Sequence, residues 1–169
     1  MTRLFVLAVP LLLAAPASAA DAKAHHHAAA ASAKPKAAAS ADLKWMDGPA
    51  GLPAGSQVAI VSGDPGKAGK FTIQLKFPAQ YVVPPHWHPT DEHVTLVSGK
   101  LAYGMSDQLN RANAQALAEG ASVTMKAKQN HWVFTGDGAT VEVSAIGPFK
   151  ITYVNPADDP RGAPATKKP

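Results

Sequence analysis

The chain has 169 residues, no cysteine and a formal net charge of +4. That length suits one ordinary domain with flanking segments, and the missing thiols exclude a disulfide framework, a thiolate nucleophile and a thiolate metal ligand. The basic excess lies largely near the ends (Lys23, Lys34, Lys36, Lys167, Lys168), with no basic stripe interleaved with aromatics, so a nucleic-acid partner is not expected.

Met1-Thr2-Arg3 forms a short positive start, Leu4 to Ala15 an apolar stretch, and Ala17-Ser18-Ala19 a small-residue cleavage site. This is the layout of a secretory signal peptide over residues 1–20, so the mature protein is expected to be periplasmic or secreted. The apolar stretch is too short for an integral membrane span, and no other segment is apolar enough to make one. Residues 21–42 are rich in Ala, Lys and Ser and lack large apolar side chains, which predicts a flexible tether. The run His25-His26-His27 within it is a weak chelator at most.

Residues 43–155 carry nearly all the aromatic and β-branched residues and read as one all-β domain. Ser56 to Ser62 is a strand ended by the turn Gly63-Asp-Pro-Gly66. Phe71 to Phe77 alternates, with Phe71, Ile73, Leu75 and Phe77 on one face. Tyr81 to Val83 leads through two prolines to His86. Glu92 to Val97 and Leu101 to Met105 flank Ser98-Gly99-Lys100, which predicts a hairpin. Ser106 to Ala118 reads as a loop or short helix. Ala121 to Met125, His131 to Thr135, Thr140 to Ile146 and Phe149 to Val154 complete the strands, with a turn at Gly136-Asp-Gly138. Residues 156–169 are Pro-, Gly- and charge-rich and predict a flexible tail. Many short strands without a long helix point to a sandwich or closed barrel.

Chemistry concentrates between Pro84 and Gly99. His86 and His88 stand two apart, so on a strand they present two imidazoles to one face. Pro89, Thr90 and Asp91 interrupt the strand, and Glu92 opens the next. Alternation sends Glu92 and His93 to opposite faces, so only one of them faces the interior. Two imidazoles and a carboxylate suit a divalent first-row metal.

This stretch resembles the first motif of the cupin superfamily, in which His-x-His, three residues, Glu, six residues and Gly follow one another. His86, His88, Glu92 and Gly99 match it, and Gly120 and His131 have the separation of the second motif. Gln80 replaces the Gly that usually opens the first motif. In the second motif, Lys126 and Lys128 stand at the usual Pro and Gly, and Thr135 at the usual Asn. The resemblance covers about residues 56–154. It implies a double-stranded β-helix (jelly-roll) barrel, as in small exported single-domain cupins of the cupin-2 type. It also implies one divalent transition metal ion, Fe, Mn, Zn or Ni, held by His86, His88, Glu92 and His131. Its partner would be a small-molecule substrate or ligand.

On this reading His93 lies on the outer face or at an interface, and a homodimer is among the expected assemblies. Trp87 and Trp132 point away from the metal, and Tyr81 and Tyr103 serve the core. Asp91 reads as a turn residue, and Lys126 and Lys128 as solvated turn residues; the rival reading puts one of the lysines at the barrel mouth to draw an anion. Two functions follow: a metal-dependent enzyme of oxygenase, oxidoreductase, decarboxylase or isomerase type acting on a small oxygen-bearing molecule, or a non-catalytic metal or small-molecule binding protein.

Overall fold

The computed structural model describes residues 42–162; the signal-like segment, His25–His27 and residues 163–169 lie outside the described residues. Nine strands follow in order: β1 Met46–Asp47, β2 Gln57–Ser62, β3 Gly69–Phe77, β4 Val82–Trp87, β5 Glu92–Gly104, β6 Gln115–Leu117, β7 Ser122–Met125, β8 His131–Gly147 and β9 Thr152–Tyr153. Every pairing is antiparallel. The two longest strands, β5 and β8, are the spine. The C-terminal half of β8 runs between β3 and β5, and its first residues run between β4 and β5.

Strand β5 slips register against β8 between Leu96 and Ser98 and again between Gly99 and Leu101. Such bulges bend a strand and increase its twist. The sheet therefore wraps with its apolar face inward. Phe71, Ile73, Leu75 and Phe77 from β3 meet Val94, Leu96 and Leu101 from β5 and Val141 and Val143 from β8. The architecture is the all-β jelly-roll barrel.

Two turns expected from sequence are bends inside continuous strands. Ser98-Gly99-Lys100 is no hairpin but the middle of β5, and Gly136-Asp-Gly138 is the middle of β8. The reason lies in the pairing. Gly99 (φ 90°) sits against the Gly138–Ala139 backbone, and Gly138 also has positive φ (101°). The glycines thus bend a strand pair instead of reversing either strand.

Ser106 to Ala118 contains a 3-10 turn, Arg111–Asn113, whose first residues are capped by the Asn110 side chain, and then β6. The start of the expected tail is tied to the barrel: Pro156–Asp158 is a 3-10 turn capped by Asn155, and Arg161 Nη2 donates to Ile151 O at 3.0 Å. Among the described residues no helix is long and apolar enough to cross a membrane.

Candidate metal centre

His86 is near the end of β4, His88 follows that strand by one residue, Glu92 opens β5 and His131 opens β8. All four side chains are buried. His86 and His131 are cross-strand partners, with ring centroids 4.2 Å apart. The potential ligating nitrogens of His86, His88 and His131 lie within 4.8 Å of one another. Glu92 Oε2 lies 3.3 Å from His131 Nε2 and 3.6 Å from His88 Nε2.

The far side of each ring fixes its orientation. His86 Nδ1 lies 2.7 Å from Pro84 O, His88 Nδ1 2.7 Å from Lys150 O, and His131 Nδ1 2.9 Å from Gln129 O. A carbonyl can only accept, so each Nδ1 is the protonated nitrogen and each Nε2 carries a lone pair. Metal-binding imidazoles are oriented in this way by backbone or carboxylate acceptors. Three lone pairs and a carboxylate oxygen then converge with no donor among them, and buried His131 Nε2 has no hydrogen-bond partner. The short approach of His131 Nε2 to Glu92 needs a cation between them, a proton or a metal. A divalent ion with nitrogen and oxygen ligands fits this donor set.

Burial, reinforced by the neighbouring His131 and His88, pushes the His86 pKa down to about 3. Burial also holds His88 below the ordinary imidazole range, against the opposing pull of Glu92. Burial pushes the Glu92 carboxyl up, but the surrounding imidazoles more than offset it, and the group sits below its ordinary value. Burial thus favours the neutral form of His86 and His88 beside an ionised Glu92 carboxylate. For His86 the sign of the pH effect is direct. The unfolded residue takes up a proton near 6.5 and the buried one not until about 3. Full stability is therefore present above pH 6.5 and is lost as pH falls through that window. Urea unfolding of chelator-treated protein should show a loss of about 2 kcal/mol from His86 alone between pH 7 and about pH 5.

The departures from the cupin pattern keep its backbone geometry. Gln80 has φ 57° and Lys128 φ 61°, so both stand in the left-handed region where the motif has Gly. Gln80 is held through its backbone N–H and its side-chain amide, both donating to Gly136 O at 3.0 Å. Lys128 N donates to His88 O at 2.8 Å, which ties the turn before His131 to the other ligand segment. The turn's missing Pro is offset by side chains. Asp91 accepts from Ala127 N at 2.8 Å and from Lys126 Nζ at 2.9 Å, and Gln129 Oε1 accepts from Lys126 N at 3.1 Å. Thr135, at the usual Asn, is buried; its hydroxyl donates to Pro78 O at 2.7 Å and accepts from Tyr81 N at 3.2 Å. Because a non-Gly residue in this region costs about 1–2 kcal/mol and Gly loses more chain entropy, Lys128→Gly should stabilise the protein by about 0.5–1 kcal/mol, read as a raised Tm.

The other singled-out residues fall into place. His93 is exposed, with Nδ1 2.9 Å from Thr124 Oγ1. Trp132 is buried on the face away from the cavity, across Gly104, and donates to Ser106 Oγ at 3.0 Å; Trp87 is half-buried. Asp91 clamps the turn by accepting from Ala127 N and from Lys126 Nζ, with which it forms an ion pair. Neither Lys126 nor Lys128 lines the barrel cavity. Both lysines are residues of the turn before His131, Lys126 paired with Asp91 and Lys128 bonded through its N–H to His88 O. Sequence reasoning missed Phe149, which stacks on His88 with centroids 4.2 Å apart, and the carbonyl of Lys150. Both are more than 60 positions from His88 in sequence, and no local pattern marks them.

The ligand cluster opens into a cavity of about 300 Å³ inside the barrel. Two tyrosine hydroxyls hold the segment that brings Pro49, Gly51 and Leu52 to the cavity lining: Tyr153 donates to Gly51 O at 2.8 Å, and Tyr81 donates to Pro53 O.

No protein-family model matches the chain, and no curated protein matches it in sequence. Solved structures do. A candidate acetylacetone dioxygenase from Methylibium petroleiphilum is 20% identical, covers 70% of this chain and 79% of its own, and superposes with a TM-score of 0.54. The polyketide cyclase RemF from Streptomyces resistomycificus is 15% identical, with 63% and 75% covered and a TM-score of 0.53. The DMSP lyase DddQ from Ruegeria pomeroyi is 19% identical, with 63% and 57% covered and a TM-score of 0.50. At these identities the likeness is one of fold. The strand order, the bent β5–β8 spine and these superpositions together give the chain the fold of the cupin superfamily.

Proposed function

We propose that the protein is an exported cupin that holds one divalent metal ion through His86, His88, Glu92 and His131 and acts as a metal-dependent enzyme on a small oxygen-bearing organic molecule. The observation that carries this reading is the convergence of buried acceptors: three imidazoles turned by backbone carbonyls so that their Nε2 atoms face one another and Glu92. An ion in such a site supplies Lewis acidity, and oxygen binding if it is redox-active. The chain's own part is to keep His86 and His88 neutral by burial, to fix each of the three rings through its Nδ1–H, and to enclose the substrate away from bulk water.

A second reading, a non-catalytic periplasmic binding protein, is favoured by one observation. Among the described residues, no titratable side chain apart from the four proposed ligands lines the cavity. A general acid or base would then have to be one of the ligands. Metal analysis of protein recovered from its native compartment tests the common part of both readings, with intact mass showing loss of residues 1–20. Depletion of small metabolites by metal-loaded protein, in air and without oxygen, favours the enzyme. Saturable binding without depletion under every metal loading favours the binder.

A further inference from the structure

The cavity wall limits what the metal centre can receive. Besides His86, His88, Glu92 and His131, every described residue lining the cavity is apolar or glycine. Val58, Ile73, Leu75, Val94, Val141 and Val143 are among the buried wall residues. The more exposed end is no different: Pro49, Leu52, Ile60, Pro65, Phe149 and Ile151 line it, and all are half-buried or exposed. Among the described residues, no Arg, Lys, Ser, Thr, Asn or Gln side chain lines the space. Packed interiors leave few voids larger than a water molecule, so about 300 Å³ is a built cavity, large enough for roughly ten water-sized groups.

Resting on the metal reading above, we propose that the ligand is a compact hydrocarbon skeleton bearing a single oxygen-donor head group, neutral or singly anionic. The head group faces the histidine cluster and the skeleton fills the apolar wall. Three neutral imidazoles, one carboxylate and a divalent ion leave one net positive charge, which one anionic oxygen group neutralises. A second charge on the ligand would be buried without a partner, and a hydroxyl on the skeleton would lose its water hydrogen bonds with no side chain to replace them. Sugars, dicarboxylates and phosphate esters are therefore disfavoured as ligands, and short- to medium-chain or alicyclic carbonyl compounds are favoured.

The test uses full-length protein loaded with Co(II) and a series of straight-chain alkyl hydroxamates, whose common head chelates through oxygen, with binding followed by the visible spectrum and by calorimetry. Affinity should rise roughly fourfold per added methylene until the cavity is filled. A chain ending in hydroxyl or carboxylate should bind at least about tenfold more weakly than its methyl-ended counterpart. A flat series, or equal affinity for the polar-ended chains, would overturn the inference while Co(II) uptake leaves the metal reading standing. The same tail lengths are then offered to chelator-treated protein as methyl ketones, read by thermal shift. A methyl-ended preference that persists in a protein unable to take up Co(II) would support the apolar cavity and refute the metal reading instead. Loss of that preference in the ketone series would overturn the inference whatever the metal content.

Discussion

Glu92→Gln should abolish stoichiometric metal binding and yet leave the metal-free protein at least as stable as metal-free wild type. The two effects part because Glu92 is surrounded by acceptors. Its Oε2 lies 3.3 Å from His131 Nε2, a buried nitrogen with no hydrogen-bond partner. An amide at the same place brings an N–H donor to that lone pair and removes a buried charge. It also removes the anionic ligand. Wild type should gain about 2.7 kcal/mol when free metal stands at about 100 times Kd, and chelation should withdraw it, lowering Tm by roughly 10 °C. Glu92→Gln, His88→Ala and His131→Ala should show no such response, whereas exposed His93→Ala should behave as wild type. The comparison is made by elemental analysis and thermal unfolding with residues 21–41 deleted, so that His25, His26 and His27 contribute nothing. If His93→Ala lost the metal and Glu92→Gln kept it, the assignment of the β5 faces would be wrong.

Much of this site was legible because strand alternation is local physics. The interval from His86 to Gly99 assigns faces without any tertiary knowledge, and Glu92 buried with His93 exposed is what period two demands. The fold class was legible for the same reason, from Phe71-Thr-Ile-Gln-Leu-Lys-Phe77 and its neighbours. Gln74 shows the limit. It alternates onto the outer face of β3, yet it is wholly buried with its amide 3.2 Å from Glu142 Oε2. A rule about one strand cannot see what covers it.

The altered motif positions teach a related lesson. Gln80 and Lys128 look like losses of turn chemistry, but the left-handed conformation is kept and supported by hydrogen bonds from segments distant in sequence. Asp91 and Gln129 do for the His131 turn what a proline ring would do through its fixed φ. Gln129 acts within the turn, whereas Asp91 is a tertiary partner far from it in sequence. Such partners are invisible to any window of sequence. The bent strands were misread for the opposite reason: glycine signals a departure from extended backbone, and sequence alone does not say whether the chain reverses or bends.

Gly99→Ala should lower stability by about 3–5 kcal/mol and cost the metal site together with the fold. The argument begins with the ladder between β5 and β8. Glu92 pairs with Ala145 at one end, and Gly104 pairs with Trp132 at the other, next to His131. A straight strand from Glu92 to Gly104 would span about 40 Å. Yet Glu92 Oε2 and His131 Nε2 are 3.3 Å apart. The ladder must therefore curl almost onto itself, and the bend is concentrated where Gly99 crosses Gly138 and Ala139. At Gly99 a Cβ meets two obstacles. The φ of 90° is one that L side chains rarely adopt, and the atom would lie 2.4 Å from Gly138 O and 2.9 Å from Ala139 Cα. Both obstacles are backbone, so no side chain can swing aside to relieve them. Relief requires opening the β5–β8 crossing, which moves Glu92 away from His131. Urea unfolding monitored by tryptophan fluorescence should show the lower midpoint, and elemental analysis of the soluble fraction should show depleted metal. Gly136→Ala is the matched control, because its Cβ would meet nothing within 4 Å and its φ is not in the forbidden range. Equal stability and equal metal content in the Gly99 and Gly136 variants would refute the claim that this crossing closes the barrel around its histidines.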